Sequence, residues 1–357
     1  MNNLTLNQLA DLAEDGQTLQ NEQVSTAADL LASPEPHPAD KERFLLALAD
    51  KGETAAEIAA LAARFRELAR DPGLEDLARG AIDVCGTGGD HSGSFNVSTF
   101  TAFVLAAAGV RVLKHGNRSV TSKCGSADLL EGVGIRLDAP PDLLRAAAEE
   151  LNFTFLFAPG FHPAFKEIIP VRKALAERGR RTVFNLLGPL LNPARPDFQL
   201  LGVFCPDLVE PLAATLGALG LRRGLVVHGK LSDERGMDEL TCVGTNRLAG
   251  FGELADFHKI DTPPDAFGLS HCPESDLAGG DLETNLALID ALFEGKAPKG
   301  LLHTISANAG TALFITEEAR DLAEGAALAQ ELILGGTVRD WLSRAKTFYA
   351  EQAYDSK

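Results

Sequence analysis

Cysteine is scarce in this sequence, and the few that occur are not spaced as pairs. Five cysteines are spread over 357 residues with no CxxC spacing: Cys85, Cys124, Cys205, Cys242 and Cys272. Such spacing indicates neither a disulfide framework nor a zinc knuckle. We therefore expect reduced thiols and a cytoplasmic protein.

Long apolar runs and positive charge are also in short supply. No stretch approaches the roughly 20 apolar residues that a membrane-spanning helix needs. Residues 1–17 hold three acidic and no basic side chains, unlike a secretory signal. With 33 basic against 50 acidic residues, the net charge of −17 disfavours broad association with nucleic acid or anionic lipid. The 45% hydrophobic content predicts a globular protein, in which a polyanionic ligand would need a local basic site.

The spacing of apolar residues changes near residue 80. Before that point Leu6, Leu9, Leu12 and later apolar positions recur at helical spacing, which predicts a helical domain over residues 1–78. In residues 79–357, helical segments alternate with short β-rich runs at 81–85, 110–113, 153–157, 200–204 and 224–228. This alternation predicts an α/β fold with a mostly parallel central sheet, whose ligands bind beyond the carboxyl ends of the strands.

A glycine-rich loop follows the first of these runs. It consists of Gly86, Thr87, Gly88, Gly89 and Asp90, and a helix is predicted to begin shortly after it. Glycine lets the backbone approach a ligand closely, and a helix start offers free N–H groups and a positive dipole end to phosphate. The alternative is a tight turn followed by ordinary helix caps. The loop matches neither a dinucleotide-binding fingerprint nor a P-loop.

Negative charge is missing from the residues that follow this loop. Residues 91–127 contain no Asp or Glu, where the composition predicts about five. The same window holds four basic residues and a second polar cluster, which follows the run at 110–113. Loops after neighbouring parallel strands meet at one edge of a sheet. We therefore favour an anion-binding site over an exposed polar loop, which is the alternative for the second cluster.

A divalent cation at such a site would need carboxylates, since Mg²⁺ usually binds one or two acids together with water and substrate phosphates. Two adjacent acid pairs follow the run at 224–228, Asp233-Glu234 and Asp238-Glu239. Acid pairs are also common on any acidic surface. The spacing does not choose between the two pairs.

Six ordered motifs carry a resemblance to a known family. They are DVCGTGGD (83–90), NVST (96–99), KHGNRSVTSKCGSAD (114–128), HPAFKEIIPVR (162–172), TVFNLLGPLLNP (182–193) and GMDEL (236–240). From about residue 51 to about residue 336 the chain resembles the anthranilate phosphoribosyltransferases, within the nucleoside phosphorylase/anthranilate phosphoribosyltransferase-like fold family. These enzymes are pentosyltransferases, a class of glycosyltransferase, of tryptophan and hence aromatic amino-acid biosynthesis.

The resemblance implies a set of ligand-binding residues. For phosphoribosyl diphosphate these are Gly86, Gly89, Asp90, Ser94, Asn96, Val97, Ser98, Thr99, Lys114, His115, Gly116, Asn117, Arg118, Ser119, Val120, Thr121, Ser122 and Ser126. For anthranilate they are Gly86, Asn117, Arg172, His115 and His162. For Mg²⁺, expected as two ions per monomer, they are Ser98, Asp238 and Glu239, which favours the later acid pair.

The implied reaction displaces diphosphate from the ribose anomeric carbon by an aromatic amine, giving N-(5-phosphoribosyl)anthranilate. Arg172 can hold a benzoate-type carboxylate through two parallel hydrogen bonds. The aniline-type nitrogen is already neutral, so no residue is assigned as a catalytic base. The expected roles are positioning and charge stabilisation, with His115 and His162 as contacts only.

The resemblance also implies an architecture and excludes rivals. A small helical domain, completed by a segment near residues 172–192, packs on a larger phosphoribosyl-diphosphate-binding domain, with the active site between them. A homodimer formed through the helical domain is expected. A pyrimidine nucleoside phosphorylase ordinarily has a Lys-containing loop in place of residues 85–90 and lacks the acid pair. A non-catalytic, nucleic-acid-binding relative needs an extensive basic surface, which the net charge of −17 disfavours.

Overall fold

The computed structural model describes residues 4–90, 92–118, 123–232 and 235–352. Within these ranges the chain forms sixteen α-helices and eight β-strands. The helices before the first strand are α1 (Leu6–Glu14), α2 (Asn21–Ala32), α3 (Pro38–Lys51), α4 (Ala55–Glu67) and α5 (Glu75–Ala78). The strands are β1 (Ile82–Gly86), β2 (Val112–Gly116), β3 (Phe153–Phe157), β4 (Phe198–Gly202), β5 (Arg223–Lys230), β6 (Gly236–Met237), β7 (Asn246–Gly252) and β8 (His258–Thr262).

The remaining helices connect and follow the strands. They are α6 (Val97–Ala107), α7 (Ser126–Gly132), α8 (Pro141–Glu150), α9 (Ala158–Phe161), α10 (Ile169–Glu177), α11 (Phe184–Leu187), α12 (Val209–Ala218), α13 (Leu282–Phe293), α14 (Lys299–Ile315), α15 (Leu322–Leu334) and α16 (Thr337–Gln352). None of the helices in the described ranges has both the length and the apolar character that crossing a bilayer would require.

The N-terminal helices begin at residues suited to that position. Thr5 and Thr54 each form a capping box, and Pro38 occupies the first turn of α3, where its missing N–H costs nothing. The carboxylate of buried Glu57 accepts hydrogen bonds from the Leu19 N–H and the Lys51 ammonium, which ties α4 to the segment before α2. Helices were predicted across this region from the apolar spacing, and α1–α4 lie there.

One hydrophobic cluster joins these helices to the rest of the chain. It contains side chains of α1–α4, of the segment from Ile168 to Leu191, and of β4 and β5. A separate cluster on the other side of the sheet contains α6 and the C-terminal helices α13–α16. The division at residue 78, with a segment near residues 172–192 completing the helical domain, stays a prediction that this packing supports.

The sheet has the strand order β3-β2-β1-β4-β5-β7-β8, with β6 paired to β5. The strands β1, β2, β3, β4 and β5 run parallel to one another, whereas β6, β7 and β8 are antiparallel to their neighbours. The predicted mostly parallel α/β fold is therefore confirmed. The run at 153–157 coincides with β3, but β2 extends to Gly116, because Lys114 and His115 continue the pairing with β3 despite their polar side chains.

The direction of strand addition reverses between β1 and β4. From β1 the chain adds β2 and β3 on one side, then returns to add β4 and β5 on the other. A crevice forms at such a reversal, outside the carboxyl ends of the strands. Here the strand ends are Gly86 and Gly202, which pair with each other. The β5–β6 hairpin returns the chain to this point and places Asp238 directly against both glycines.

Gly202 leaves no room for a side chain. A Cβ atom at this position would overlap the carbonyl oxygen of Asp238. We expect Gly202→Ala to lower the free energy of unfolding by about 1–3 kcal/mol or more, because the backbone of the acid pair must move. Urea denaturation followed by circular dichroism measures this change.

Gly160→Ala is the matched control, since a Cβ there meets no atom within 4 Å. Its effect should stay within about 0.5 kcal/mol. Equal stabilities of the two variants would contradict the steric argument.

Candidate active site

A cavity of about 590 Å³ lies at the carboxyl ends of β1 and β2. We call it the donor cavity. It is lined by every described residue predicted to hold phosphoribosyl diphosphate or metal: Gly86, Gly89, Asp90, Ser94, Asn96, Val97, Ser98, Thr99, Lys114, His115, Gly116, Asn117, Arg118, Ser126, Asp238 and Glu239. The predicted residues Ser119, Val120, Thr121 and Ser122, and the competing pair Asp233-Glu234, lie outside the described residues. The ligand contacts of all these residues remain predictions.

The glycine loop contributes backbone N–H groups to this cavity. Gly88 and Gly89 have φ values of +70° and +78°, a conformation that residues with a Cβ rarely adopt. The Thr87 N–H donates to the carbonyl of Gly202 at 3.0 Å, which ties the loop to β4. The Gly88 N–H donates to the Asp238 carboxylate at 2.7 Å. The loop thus forms an anion-binding turn that already holds one carboxylate.

The start of α6 contributes the second group of donors. Its first turn lines the cavity and contains no acidic residue, so none of its own side chains neutralises the partial positive charge of the helix end. The Ser98 N–H donates to the Glu239 carboxylate at 3.0 Å. The hydroxyl of buried Thr99 has no hydrogen-bond partner within the described chain. The carboxylates of Asp238 and Glu239 therefore accept hydrogen bonds from N–H groups of a kind that also binds phosphate oxygens.

The acid pair carries more negative charge than its surroundings stabilise. Burial, followed by the charges of Asp90 and Glu239, raises the pKa of Asp238 well above its usual range. Burial raises the pKa of Glu239 to about 7, against the lowering effect of the Lys114 ammonium. A bound divalent cation would favour the charged carboxylates and so lower both pKa values.

The donor set fits Mg²⁺ bound mainly through a phosphorylated ligand. Asp238 and Glu239 supply carboxylate oxygens, and Ser98 supplies a hydroxyl at the same cavity wall. Across the described residues, no three His, Cys, Asp or Glu side chains are grouped to ligate a metal. The remaining ligands would thus come from water and phosphate, which is the usual pattern for this ion.

A buried polar network supports the cavity floor. The Asp83 carboxylate is fully buried and accepts hydrogen bonds from the Asn192 amide at 2.8 Å and the His115 N–H at 3.3 Å. Burial raises the pKa of Asp83 to about 6, although the Lys114 charge opposes this. The Lys114 ammonium donates to the Val84 carbonyl and also acts on Glu239. Lys114 is thus held between β1 and the acid pair.

Arg118 lines the donor cavity, but its guanidinium is engaged by acidic residues. Its guanidinium forms ion pairs with Asp128 and Glu131 of α7, at 2.9 and 2.8 Å. The neighbouring Ser126 hydroxyl donates to the Asn117 carbonyl at 3.4 Å, which holds together the two ends of the segment between β2 and α7. A contact between Arg118 and the donor ligand would require this pairing to change.

A second cavity, of about 560 Å³, adjoins the first. We call it the acceptor cavity. It is lined by all five residues predicted for anthranilate, Gly86, Asn117, Arg172, His115 and His162. The two cavities share the wall formed by Cys85, Gly86, Thr87, His115, Gly116 and Asn117. Ligands in the two cavities would therefore lie against the same residues.

The acceptor cavity is apolar and positively charged. Apart from the shared wall, its lining includes Phe165, Ile169, Phe184, Leu187 and Leu191. Arg172 and Lys166 line it too, and no described Asp or Glu does. The Arg172 guanidinium lies 5.3 Å from the Phe184 ring centroid, and burial lowers its pKa with no described acid opposing the shift. Such a site suits an aromatic carboxylate.

Two buried histidines meet at the inner end of this cavity. The Nε2 atoms of His115 and His162 lie 3.1 Å apart, with the rings at 73°. Burial lowers the pKa of His115 to about 3 and that of His162 to about 4. Both rings are therefore neutral at physiological pH.

Sequence reasoning missed several residues of the donor cavity. Gly279 and Gly280 line it from the segment before α13, and Lys123 and Cys124 line it from the loop before α7. Asp83 and Asn192 lie beneath it, within motifs that carried the resemblance, so that signal could have found them. Gly279 and Gly280 had no such signal.

Three comparisons place the chain among known proteins. A family model described as "Glycosyl transferase family, a/b domain" matches residues 78–339. The chain is 40% identical over 348 residues to the anthranilate phosphoribosyltransferase of Shewanella sp. (strain MR-4), covering 96% of this chain and 97% of that protein. It is 42% identical over 340 residues to that of Aeromonas hydrophila subsp. hydrophila, covering 95% and 96%.

Solved structures agree with these relatives. The crystal structure of anthranilate phosphoribosyltransferase from Thermus thermophilus superposes with a TM-score of 0.85 at 41% identity, covering 96% of this chain and 99% of that one. The Saccharomyces cerevisiae enzyme, solved in complex with PRPP and Mg, shares the fold with a TM-score of 0.75 at 24% identity, covering 98% and 94%. The extent of these matches, together with the two adjoining cavities, shows that the chain belongs to the anthranilate phosphoribosyltransferase family.

Proposed function

We propose that the protein transfers the 5-phosphoribosyl group of phosphoribosyl diphosphate to the amine of anthranilate, in tryptophan biosynthesis. The observation that carries this proposal is the acceptor cavity. It combines apolar walls with Arg172 and Lys166, has no described acid in its lining, and shares a wall with the donor cavity. A benzoate carboxylate at Arg172 would direct an ortho amine towards that wall.

The donor cavity suits the charge of the departing diphosphate. The N–H groups of Gly88 and Ser98 hold the carboxylates of Asp238 and Glu239 at the cavity wall, and the Lys114 ammonium adds a positive charge there. Mg²⁺, which we propose as two ions at Ser98, Asp238 and Glu239, would neutralise diphosphate charge when bound. Preorganised charges of this kind stabilise a transition state without further rearrangement.

The proposed reaction forms a C–N bond and breaks a C–O bond at the anomeric carbon. The amine lone pair attacks, the C–O electron pair leaves with diphosphate, and the amine then loses a proton. An aromatic amine is neutral and nucleophilic at physiological pH, so attack does not require prior proton removal. His115 and His162 are neutral contacts in this scheme, and catalysis comes from positioning and charge stabilisation.

The proposal extends to the oligomeric state and the cellular location, which we expect to match those of the family. We propose a cytoplasmic homodimer that associates through the helical domain formed by residues 1–78 and the segment near residues 172–192. The five cysteines, free in the structure, accord with a reducing compartment. Nucleic acid and membranes are not expected partners.

The activity can be measured as loss of anthranilate fluorescence with phosphoribosyl diphosphate and Mg²⁺. We expect metal-dependent consumption by the wild type. In Arg172→Ala the KM for anthranilate should rise roughly 30- to 150-fold, because a doubly hydrogen-bonded charge pair contributes about 2–3 kcal/mol. Lys173→Ala removes the adjacent charge outside the cavity and should leave KM unchanged. A folded wild type that consumes no anthranilate would refute the proposal.

The metal assignment is tested at Asp238. Asp238→Asn keeps an oxygen that can accept the Gly88 N–H but removes one negative charge, so the Mg²⁺ concentration for half-maximal rate should rise at least about tenfold. Titration of the initial rate with Mg²⁺ measures this change. The exposed substitution Asp256→Asn serves as control. An unchanged Mg²⁺ requirement in Asp238→Asn would argue against metal binding there.

The buried histidines predict a pH dependence of stability. Because the folded-state pKa of His162 is about 4, against about 6.5 unfolded, the unfolded state binds the extra proton as pH falls below 6.5. Stability is therefore lost between about pH 6.5 and pH 4. In His162→Gln the loss between pH 7 and pH 5 should be smaller by about 2 kcal/mol. Urea denaturation at both pH values measures it.

Because the pKa of Asp83 is raised in the folded state, its protonation increases stability as pH falls, which opposes the effect of His162. This contribution is the same in wild type and His162→Gln, so it cancels when the two are compared. His258→Gln, at an exposed position, should retain the wild-type pH dependence. Identical pH dependence in His162→Gln and wild type would show that His162 is not buried in its neutral form.

A further inference from the structure

Asn285 is a buried side chain that joins two walls of the donor cavity. It lies in the first turn of α13 and is 2% exposed. Its Oδ1 accepts a hydrogen bond from the Gly280 N–H at 2.8 Å, and its Nδ2 donates to the Oδ1 of Asn96 at 2.9 Å. The Nδ2 of Asn96 in turn donates to the Cys124 carbonyl at 3.1 Å. Three cavity-lining segments are thus linked through two amide side chains.

The link determines which way Asn96 points. Asn96 is the N-cap residue of α6, where an Asn side chain normally accepts a hydrogen bond from the second or third N–H of its own helix. Here it makes no such bond. The second N–H of α6, that of Ser98, is directed to Glu239 instead. Asn96 therefore leaves the third N–H of α6, that of Thr99, available to an anion.

The segment that carries Asn285 is closely packed on the glycine-rich side of the cavity. The Gly279 N–H donates to the Gly93 carbonyl at 3.0 Å, and the Phe95 N–H donates to the Leu277 carbonyl at 2.9 Å. A Cβ on Gly279 would lie 2.7 Å from the Ser94 oxygen and 2.9 Å from the Phe95 Cα. This packing fixes α13 relative to α6, so the Asn285 amide meets Asn96 in a defined position.

We propose that Asn285 is a positioning residue that holds Asn96 away from its own helix and so keeps the α6 N-terminus open to diphosphate. The inference rests on the proposed function in that the donor ligand is phosphoribosyl diphosphate. Without the Asn285 amide, the Asn96 side chain is free to turn and accept a hydrogen bond from the Thr99 N–H. That self-cap competes with phosphate for the same donor and neutralises part of the helix-end potential.

The test is binding of inorganic diphosphate in the presence of Mg²⁺, measured by titration calorimetry, together with the KM for each substrate. In Asn285→Ala we expect the Kd for Mg²⁺-diphosphate and the KM for phosphoribosyl diphosphate to rise about tenfold. The KM for anthranilate should not change. Asn285→Leu is a second variant of similar shape and no charge: it can neither accept the Gly280 N–H nor hold the Asn96 amide, so the same loss is expected.

A double-mutant cycle with Asn96→Ala separates positioning from general loss of structure. Alanine at position 96 cannot form the self-cap, so in that background Asn285→Ala should weaken diphosphate binding less than about twofold further. The matched control is Ile289→Val, one turn along the same helix and equally buried, which loosens packing without touching the amides. It should lower the thermal midpoint and leave the Kd unchanged.

Two results would overturn the inference: wild-type affinity for diphosphate in folded Asn285→Ala or Asn285→Leu, or an equal loss with and without Asn96→Ala. Failure of the proposed function would give a different experimental result. In that case the wild type binds diphosphate and responds to these variants as described, yet transfers nothing to anthranilate.

Discussion

The whole site depends on the close approach of Asp238 to two glycines, with its carboxylate against Gly86 and its backbone against Gly202. Gly86 and Gly202 end adjacent parallel strands where the order of strand addition reverses, and neither has room for a Cβ beneath Asp238. This approach brings an acid pair from the antiparallel part of the sheet onto the anion-binding turns of the parallel part. The loop and helix donors then bind the two carboxylates.

Charge is distributed unequally over this protein, and the distribution follows the two cavities. The chain as a whole carries a net charge of −17. In the donor cavity, acidic side chains lie beside Lys114 and the N–H donors of a helix start. In the acceptor cavity, the charged side chains of the described lining are all cationic. The donor cavity therefore suits a cation combined with a polyanion, and the acceptor cavity suits a single carboxylate on an apolar body.

The sequence predicted those parts of the site in which the ligand-binding residues lie next to one another along the chain. The glycine loop and the start of α6 lie within about twenty residues of each other, and their chemistry is visible as local spacing and as missing acids. The contact of Asn285 with Asn96 spans 189 residues and depends on how α13 packs, so no local pattern reveals it. The strands β6 and β8 were also missed, because β6 has only two residues and most side chains along β8 are exposed, so neither shows the usual alternation.

The wall shared by the two cavities limits how the acceptor range of this protein can be altered. Residues such as Gly86, His115 and Asn117 line both cavities, so a substitution there that reshapes the acceptor cavity also reshapes the donor cavity. Phe165, Ile169 and Phe184 face the acceptor cavity alone. Substitutions at these three positions could let a related sequence, natural or engineered, bind a different aromatic acid without changing the cavity for the phosphoribosyl donor.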